Sequence, residues 1–230
     1  IETTDRFRSA LAQQGGTILH RDRLGASHKS IDDLLLFLLD NNLFGRDEID
    51  AFFLTSSSQR DSAHFIARAR QLGLTAPILG PEYLYSREVQ DMAGLAAMRD
   101  VVAVSLFDGD TVTVEGKGLA DDFARLNRPA PGLWAAIGFD AVKVLAYAAN
   151  RAGKSDPAAI ADTMRIIRYE APYMGATGPV VFDAHGLITD TKAYIVRHDG
   201  SRFRTVATYL KPLIGDDGQM PPPDAASERK

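Results

Sequence analysis

Three serines and a glutamine follow an apolar segment of this sequence and are candidates for polar ligand binding. The cluster consists of Ser56, Ser57, Ser58 and Gln59, and only Thr55 separates it from the apolar segment at residues 49–54. In open α/β sheets, ligands bind outside the carboxyl ends of the strands. Serine hydroxyls and the N–H groups of a following helix can hold polar or anionic groups there. The same residue types also form an ordinary N-cap and turn, and the sequence leaves both interpretations open.

A second polar cluster contains an acid between apolar and aromatic neighbours. Glu82, with Tyr83 and Tyr85, follows the expected strand at residues 77–80. A carboxylate at a strand end suits recognition of a cation, because charge-assisted hydrogen bonds are about twice as strong as neutral ones. The alternative is a loop acid that only contacts solvent.

The first half of the chain supplies the elements that would position these two loops. We predict strands at residues 17–20, 49–54, 77–80 and 101–105. A helix is predicted before the first strand, at residues 4–14, and one between each pair of successive strands: a helix capped by Ser30, a helix ending at Leu72 and residues 88–98. Strands that are apolar on both faces and alternate with helices are typical of a parallel, doubly wound sheet.

The second half has a different pattern, with more helix and a final hairpin. Helices are predicted at residues 117–126, 132–152 and 156–167, and a glycine-rich loop at 173–179 precedes a strand at 180–182. Asp199-Gly200 lies between two alternating segments, 191–197 and 202–207, and predicts a β-hairpin. The proline-rich tail at 215–230 is typical of a linker or a disordered segment.

Composition narrows the class of protein. The chain has 230 residues, a net charge of -4 and no cysteine, which excludes disulfides, thiolate metal sites and cysteine nucleophiles. The 26 basic and 30 acidic residues give no indication of a nucleic-acid surface. A chain this long buries roughly 70–75% of the surface exposed by its unfolded form, so it needs no metal for stability. A run of about 18 apolar residues, as a membrane span requires, is absent from the sequence.

Motifs for catalysis or cofactor binding are missing from the sequence. It contains no Gly-x-Ser-x-Gly elbow and no P-loop. Gly116-Lys117-Gly118 lacks the third glycine of a dinucleotide site, and Asp108-Gly109-Asp110 lacks the later ligands of a calcium loop. No two histidines lie four residues apart on one helix, so we expect no metal site. The histidines are His20, His28, His64, His185 and His198.

Four stretches, in this order and spacing, resemble the type 1 periplasmic binding proteins, specifically the branched-chain amino-acid-binding receptors of ABC transporters. They are residues 49–53 with the helix at 66–74, Pro77-Ile78-Leu79-Gly80-Pro81-Glu82, Gly138-Phe139-Asp140-Ala141, and residues 175–186. The resemblance extends over nearly the whole chain.

This resemblance implies an α/β fold of two Rossmann-like lobes with parallel sheets, joined by three crossings of the chain. Residues 1–106 would form the second lobe without its first strand, and residues 107–190 the returning part of the first lobe. Residues 191–214 would form a hairpin back to the hinge and second lobe, and 215–230 the tail.

The resemblance also implies a function and a set of ligand contacts. In such receptors an acid at the position of Glu82 takes the ammonium of an amino acid, and an aromatic at the position of Trp134 lines the cleft. Trp134 could instead pack against the sheet at the start of its helix. We expect a non-enzymatic, extracytoplasmic solute-binding domain, periplasmic or extracellular, without cofactor or metal. Its ligand would be small and polar, an amino acid being the leading candidate, and its partner an ABC permease. A ligand-sensing domain fused to a signalling module is the alternative.

The start of the chain carries one further expectation. A layered α/β domain normally opens on a strand, whereas this chain opens on a helix, so we expect the first lobe to be incomplete. The helix at 132–152 would then need strands that this chain does not contain. We expect its apolar face to be covered by another copy of the chain, by a second chain that carries the opening segment, or by a rearranged sheet. Its apolar stripe, which contains Val142 and Leu145, is expected to be core.

Overall fold

The computed structural model describes residues 2–23, 29–41, 49–56, 58–109, 113–170, 172–182, 186–189 and 191–210. These residues divide into two compact units. The first unit contains the described residues up to Val104 together with Val196–Arg204, and the second contains Ser105–Ile195 and the residues from Thr205 onward. The chain therefore passes between the units after Val104, after Ile195 and after Arg204. Ser57 and the tail at 215–230, both named above, lie outside the described residues.

The elements of the structure follow the chain in three stretches. The first contains α1 (Glu2–Gln13), α2 (Ile31–Asp40), β1 (Phe52–Phe53), α3 (Gln59–Gln71), β2 (Ile78–Gly80), a short 3-10 helix (Glu82–Tyr85), α4 (Arg87–Ala93) and β3 (Val101–Ser105). The second contains α5 (Val114–Arg125), α6 (Leu133–Ala152), α7 (Pro157–Glu170), β4 (Tyr173–Gly175), β5 (Gly178–Phe182) and β6 (Ile188–Thr189). The last is a pair of strands, β7 (Lys192–His198) and β8 (Phe203–Leu210).

The strands form a five-stranded sheet and a three-stranded sheet within the described residues. The larger sheet has the order β1-β2-β3-β7-β8, and β1, β2 and β3 run parallel. Phe52 lies opposite Ile78, and Ile78 lies opposite Val101, so the carboxyl ends of these strands meet at one edge. The smaller sheet, β4-β5-β6, is antiparallel.

Side-chain caps fix where several helices begin. The hydroxyl of Ser30 accepts the N–H of Asp33 at 3.1 Å at the start of α2, as the sequence predicts. At the other end of a helix, Gly153 closes α6 in the left-handed conformation, with φ of 67°. A residue with a Cβ adopts this conformation at a cost, so glycine suits the position.

Each unit has its own apolar core. Ile66 of α3, Ile78 of β2 and Val101 of β3 are fully buried in the first unit. The second unit has a buried cluster made of Phe107, Leu119, Leu133, Ala136 and Ala176. Burying one large apolar side chain stabilises a fold by about 1.5–3 kcal/mol, so these clusters hold the loops described below.

One face of α6 has no cover from the described residues of its own unit. Val142 is 69% exposed and Leu145 is 50% exposed, whereas Val144 and Ala148 on the opposite face are buried. The expectation that Val142 and Leu145 are core is therefore wrong for this chain taken by itself. Cover of this face by another chain stays a prediction.

Three details of the predicted elements differ from the structure. Residues 16–23 form no strand, and Leu19 is 61% exposed, because no strand among the described residues pairs with this segment. The helix predicted at 88–98 ends at Ala93, where Gly94 adopts a φ of 84°. The segment at 173–179 is not a loop but a tight antiparallel hairpin, in which Gly175 lies opposite Gly178.

The described residues contain neither a helix that could cross a membrane nor a cluster of metal-binding side chains. None of the described helices has both the length and the apolar character that crossing a bilayer requires. Within the same part of the chain, no group of three or more histidine, aspartate or glutamate side chains is placed to hold a metal ion.

Candidate functional site

The serine loop after β1 is fixed by its own hydrogen bonds. Ser58 caps α3, because its hydroxyl accepts the N–H of Asp61 at 3.1 Å. The hydroxyl of Ser56 accepts the N–H of Ser58 at 3.0 Å and donates to the carbonyl of Ser58 at 3.2 Å. The interpretation of Ser58 as an ordinary N-cap is therefore confirmed, and its hydroxyl oxygen is already engaged.

Tyr83 joins the loop after β1 to the loop after β2. Its hydroxyl accepts the N–H of Ser56 and donates to the carbonyl of Leu54 at 3.4 Å. Burial raises the pKa of Tyr83, the hydrogen bond from Ser56 lowers it, and the charge of Glu82 raises it further. The ring therefore serves as a neutral brace between the two strand ends.

Glu82 lies at this brace with its side chain exposed to solvent. Among the residues that the structure describes, no lysine, arginine or histidine forms an ion pair with it. Gln59 is half-buried at the first position of α3, and Tyr85 is half-buried and packs edge-on against Phe203, with ring centroids 5.1 Å apart. Ser56, Gln59, Glu82, Tyr83 and Tyr85 thus all belong to the first unit, as does the capping Ser58.

Trp134 belongs to the second unit, in the first turn of α6. Its side chain is 66% exposed, so it does not pack as a core residue of its own unit. The indole is therefore accessible to a ligand or a partner. Because Trp134 and Glu82 lie in different units, their contact with one ligand stays a prediction.

The second unit is organised by a buried carboxyl group that the sequence analysis named only as part of the motif at residues 138–141, without a role. Asp140, on α6, is 5% exposed. It accepts hydrogen bonds from the N–H of Ala176 at 2.6 Å, from the N–H of Thr177 at 2.8 Å and from the hydroxyl of Thr177 at 2.6 Å. The signal in the sequence was an acid between Phe139 and Ala141 in the middle of an apolar helix.

The backbone next to Asp140 leaves no room for a larger residue. A Cβ added at Gly175 would lie 2.4 Å from Cγ of Asp140, which is far inside van der Waals contact. The carbonyl of Gly175 in turn accepts the hydroxyl of Thr113 at 2.8 Å. Asp140, Gly175 and Thr113 therefore tie α6, the hairpin turn and the start of α5 together.

Comparison with known proteins identifies the family. Residues 2–202 match the family described as periplasmic binding protein, and the chain belongs to that family. A curated relative from Pseudomonas aeruginosa, a leucine-, isoleucine-, valine-, threonine- and alanine-binding protein, is 30% identical over 122 residues. That alignment covers 53% of this chain and 31% of the relative.

Solved structures agree with this fold. A leucine-binding protein from Thermotoga maritima superposes with a TM-score of 0.73 at 22% identity, covering 89% of this chain and 55% of that chain. A solute-binding protein of an ABC transporter from R. palustris, in complex with benzoate, gives a TM-score of 0.71 at 16% identity, covering 88% and 53%. The predicted α/β fold of type 1 periplasmic binding proteins is confirmed. The chain spans about half the length of these structures.

Proposed function

We propose that this chain is the solute-binding part of an extracytoplasmic receptor that delivers a small amino acid to an ABC permease. Its membership in the periplasmic binding proteins supports a receptor that binds its ligand without transforming it. The relative from Pseudomonas aeruginosa is named for five amino acids, which supports an amino-acid ligand.

The observation that carries the proposal is the open carboxylate of Glu82 beside a braced strand edge. Glu82 follows β2 at the edge where the parallel strands end, which is where open α/β sheets bind their ligands. Since no basic side chain of the described residues pairs with it, its charge is available for a ligand ammonium. Ser56, Gln59, Tyr83 and Tyr85 would form the remainder of this wall.

Trp134 would supply an apolar contact from the second unit. In a two-lobed receptor, the ligand stabilises the closed state of a hinge by contacting both lobes. An exposed indole is suited to this task, because it offers a large apolar surface together with one N–H donor. Ser57 remains part of the proposed wall on sequence grounds alone.

Isothermal titration calorimetry of the chain with an amino-acid panel and with benzoate tests the proposal. We expect at least one small amino acid to bind, and Glu82→Gln to weaken that binding by about tenfold or more, because a charge-assisted hydrogen bond is lost. Glu88→Gln is the matched control, since Glu88 is an exposed acid on α4 and should leave affinity unchanged. Binding of benzoate without any amino acid, or unchanged affinity in Glu82→Gln, would overturn the proposal.

A further inference from the structure

Helix α2 is apolar on more than the side that it buries. Six apolar residues follow one another at positions 34–39. Leu35 and Leu38 are buried in the first unit, whereas Leu36 is 45% exposed and Leu39 is 39% exposed. A helix that is covered on one side normally carries polar residues on the other. Neighbouring exposed apolar residues mark interfaces, so the outer side of α2 is a candidate contact surface.

The exposed leucines of α2 belong to one stripe along the helix. Asp32, Leu36 and Leu39 follow one another at intervals of four and three residues. Residues at these intervals lie above one another on the same side of a helix, as they do in the seam between two paired helices. Leu36 is the middle residue of this stripe. The outer side of α2 therefore has the pattern of a surface that packs against another helix.

The charges of α2 and of its neighbour α3 are opposite. α2 contains three acidic residues and no basic residue. The outer side of α3 has a basic row whose members are four residues apart, namely Arg60, His64 and Arg68. Asp32 already lies against this row, because its carboxylate accepts the Nε–H of Arg68 at 2.9 Å and lies 3.6 Å from Nε2 of His64. Asp40 is exposed and forms no ion pair with the described residues.

The contact at Asp32 fixes which parts of α2 and α3 lie side by side. The first turn of α2 lies next to residues 64–68 of α3. Asp32 is four residues before Leu36, and Asp40 is four residues after it. A two-fold axis beside Leu36 would therefore bring Asp40 of a second copy to the level of Asp32, next to the basic row. By the same symmetry, Asp40 of the first copy would meet the basic row of the second.

We propose that the outer side of α2 docks a second copy of this chain, with the two α2 helices antiparallel across a two-fold axis at Leu36. The leucine stripe excludes water at the centre, and ion pairs between Asp40 of one copy and Arg68 of the other set the register. A helix of 10 residues offers less area than the roughly 800 Å² per partner of a standard interface. We therefore expect a reversible dimer with a dissociation constant on the order of 100 μM. This surface does not depend on the proposed function.

Sedimentation velocity of the whole chain between about 10 and 500 μM tests the dimer. We expect the sedimentation coefficient to rise with concentration from the monomer value to the dimer value. Leu36→Gln should raise the dissociation constant by about tenfold or more, because this residue lies at the axis in both copies. Leu36 is exposed, so the variant should keep its fold. Leu145→Gln on α6 is the matched control, since Leu145 is 50% exposed, and it should dimerise as the unmodified chain does.

A charge exchange tests the register of the two helices. Asp40→Lys and Arg68→Glu should each weaken the dimer by about tenfold or more, because each places like charges opposite one another twice. In an equimolar mixture of the two variants, every pair of positions 40 and 68 across the axis has opposite charges. Native mass spectrometry should therefore find the mixed dimer in excess over both dimers of identical chains. A statistical mixture of the three dimers would overturn the assigned register.

Three outcomes would assign the surface differently. Loss of the dimer in Leu145→Gln but not in Leu36→Gln would place the contact on α6 and overturn the proposal. A chain that stays monomeric up to about 500 μM would also overturn it. Binding of that monomer to phosphatidylglycerol vesicles, with loss of binding in Leu36→Gln, would assign the outer side of α2 to a lipid surface in place of a second copy.

Discussion

Asp140 and His198 are both buried polar side chains, one in each unit, but their hydrogen bonding differs. Asp140 accepts three hydrogen bonds, two from Thr177 and one from Ala176. His198 is fully buried, and its Nδ1 accepts the N–H of Gly200 at 3.1 Å. Its Nε2 has no hydrogen-bond partner among the described residues.

Because of this difference, we expect Asp140 to act as a structural support and His198 to respond to pH. A buried polar group with every hydrogen bond made is costly to remove, because its partners are then left unpaired. Since Nδ1 of His198 is an acceptor, the proton of the neutral ring is on Nε2, which is buried without an acceptor. We therefore expect Asp140 to govern the shape of the hairpin turn, and His198 to govern how stability responds to acid.

The largest effect is expected from Asp140→Ala. This change leaves three donors of the turn unpaired in a buried place, and we expect the free energy of unfolding to fall by about 3 kcal/mol. Urea denaturation followed by circular dichroism measures this loss. Asp162→Ala, on the exposed face of α7, should cost less than about 0.5 kcal/mol. A loss at Asp140 no larger than at Asp162 would show that the turn does not depend on the carboxyl group.

A second way to disturb the same support is Gly175→Ala. The added Cβ would lie 2.4 Å from the carboxyl carbon of Asp140, so we expect a loss of about 1–3 kcal/mol. Gly138→Ala on α6 is the matched control, because a Cβ there meets nothing within 4 Å. Since alanine is a better helix former than glycine, the control should gain up to about 1 kcal/mol. Equal effects at the two glycines would contradict the close contact described here.

The Tyr83 brace of the first unit should contribute less to stability than the hydrogen bonds of Asp140 in the second unit. Tyr83→Phe removes the hydroxyl that accepts the N–H of Ser56, at an expected cost of about 1 kcal/mol. Because the two strand-end loops would then move independently, ligand affinity in calorimetry should fall as well. Tyr209→Phe, at an exposed position of β8, should change neither quantity. Unchanged affinity in Tyr83→Phe would mean that the ligand does not use this edge.

The smallest effect is the response of His198 to pH. Burial lowers the pKa of His198 from its ordinary value, while Asp199 opposes this shift and Arg99 adds to it. The unfolded chain then takes up a proton near pH 6.5, where the folded chain does not. The free energy of unfolding is therefore greatest above about pH 6.5 and falls as the pH drops toward the lower folded pKa.

Urea denaturation between about pH 7.5 and pH 5 measures this slope. We expect His198→Phe to abolish it, whereas His64→Gln, at an exposed position of α3, should retain it. Hydrogen bonds from Arg202 and Ser201 lower the pKa of Asp199. Protonation of this carboxylate therefore reduces the free energy of unfolding only below about pH 4, outside the range of this measurement. A slope that persists in His198→Phe would assign the acid response to another group.

Local signals predicted much of the fold correctly. Three features are determined by a few neighbouring residues each: the strand at residues 101–105, the helix start at Ser30 and the hairpin turn at Asp199-Gly200. The segment at residues 17–20 has the composition of a strand, but it pairs with no strand in the part of the chain that the structure describes. The pairing of strands depends on the whole fold rather than on local sequence. The hairpin at Gly175 and Gly178 could not be predicted for a similar reason. Its turn is held by hydrogen bonds to Asp140, which lies 35 residues earlier in the chain than Gly175.

The candidate site was predictable to a similar degree. The position of Glu82 after a parallel strand follows from the order of the elements, and its exposure is consistent with either a ligand contact or a solvated acid. The brace formed by Tyr83 could not be predicted, since it depends on the spacing of two neighbouring strands.

Because Trp134 is the only tryptophan in the sequence, the fluorescence of the unlabelled protein reports on the surroundings of the start of α6. Tryptophan fluorescence moves to shorter wavelengths when the ring leaves water, and this chain has one tryptophan, which is 66% exposed. Any ligand or chain that covers the start of α6 should therefore shift the emission of the whole sample. A compound that binds without changing the spectrum must do so elsewhere in the molecule.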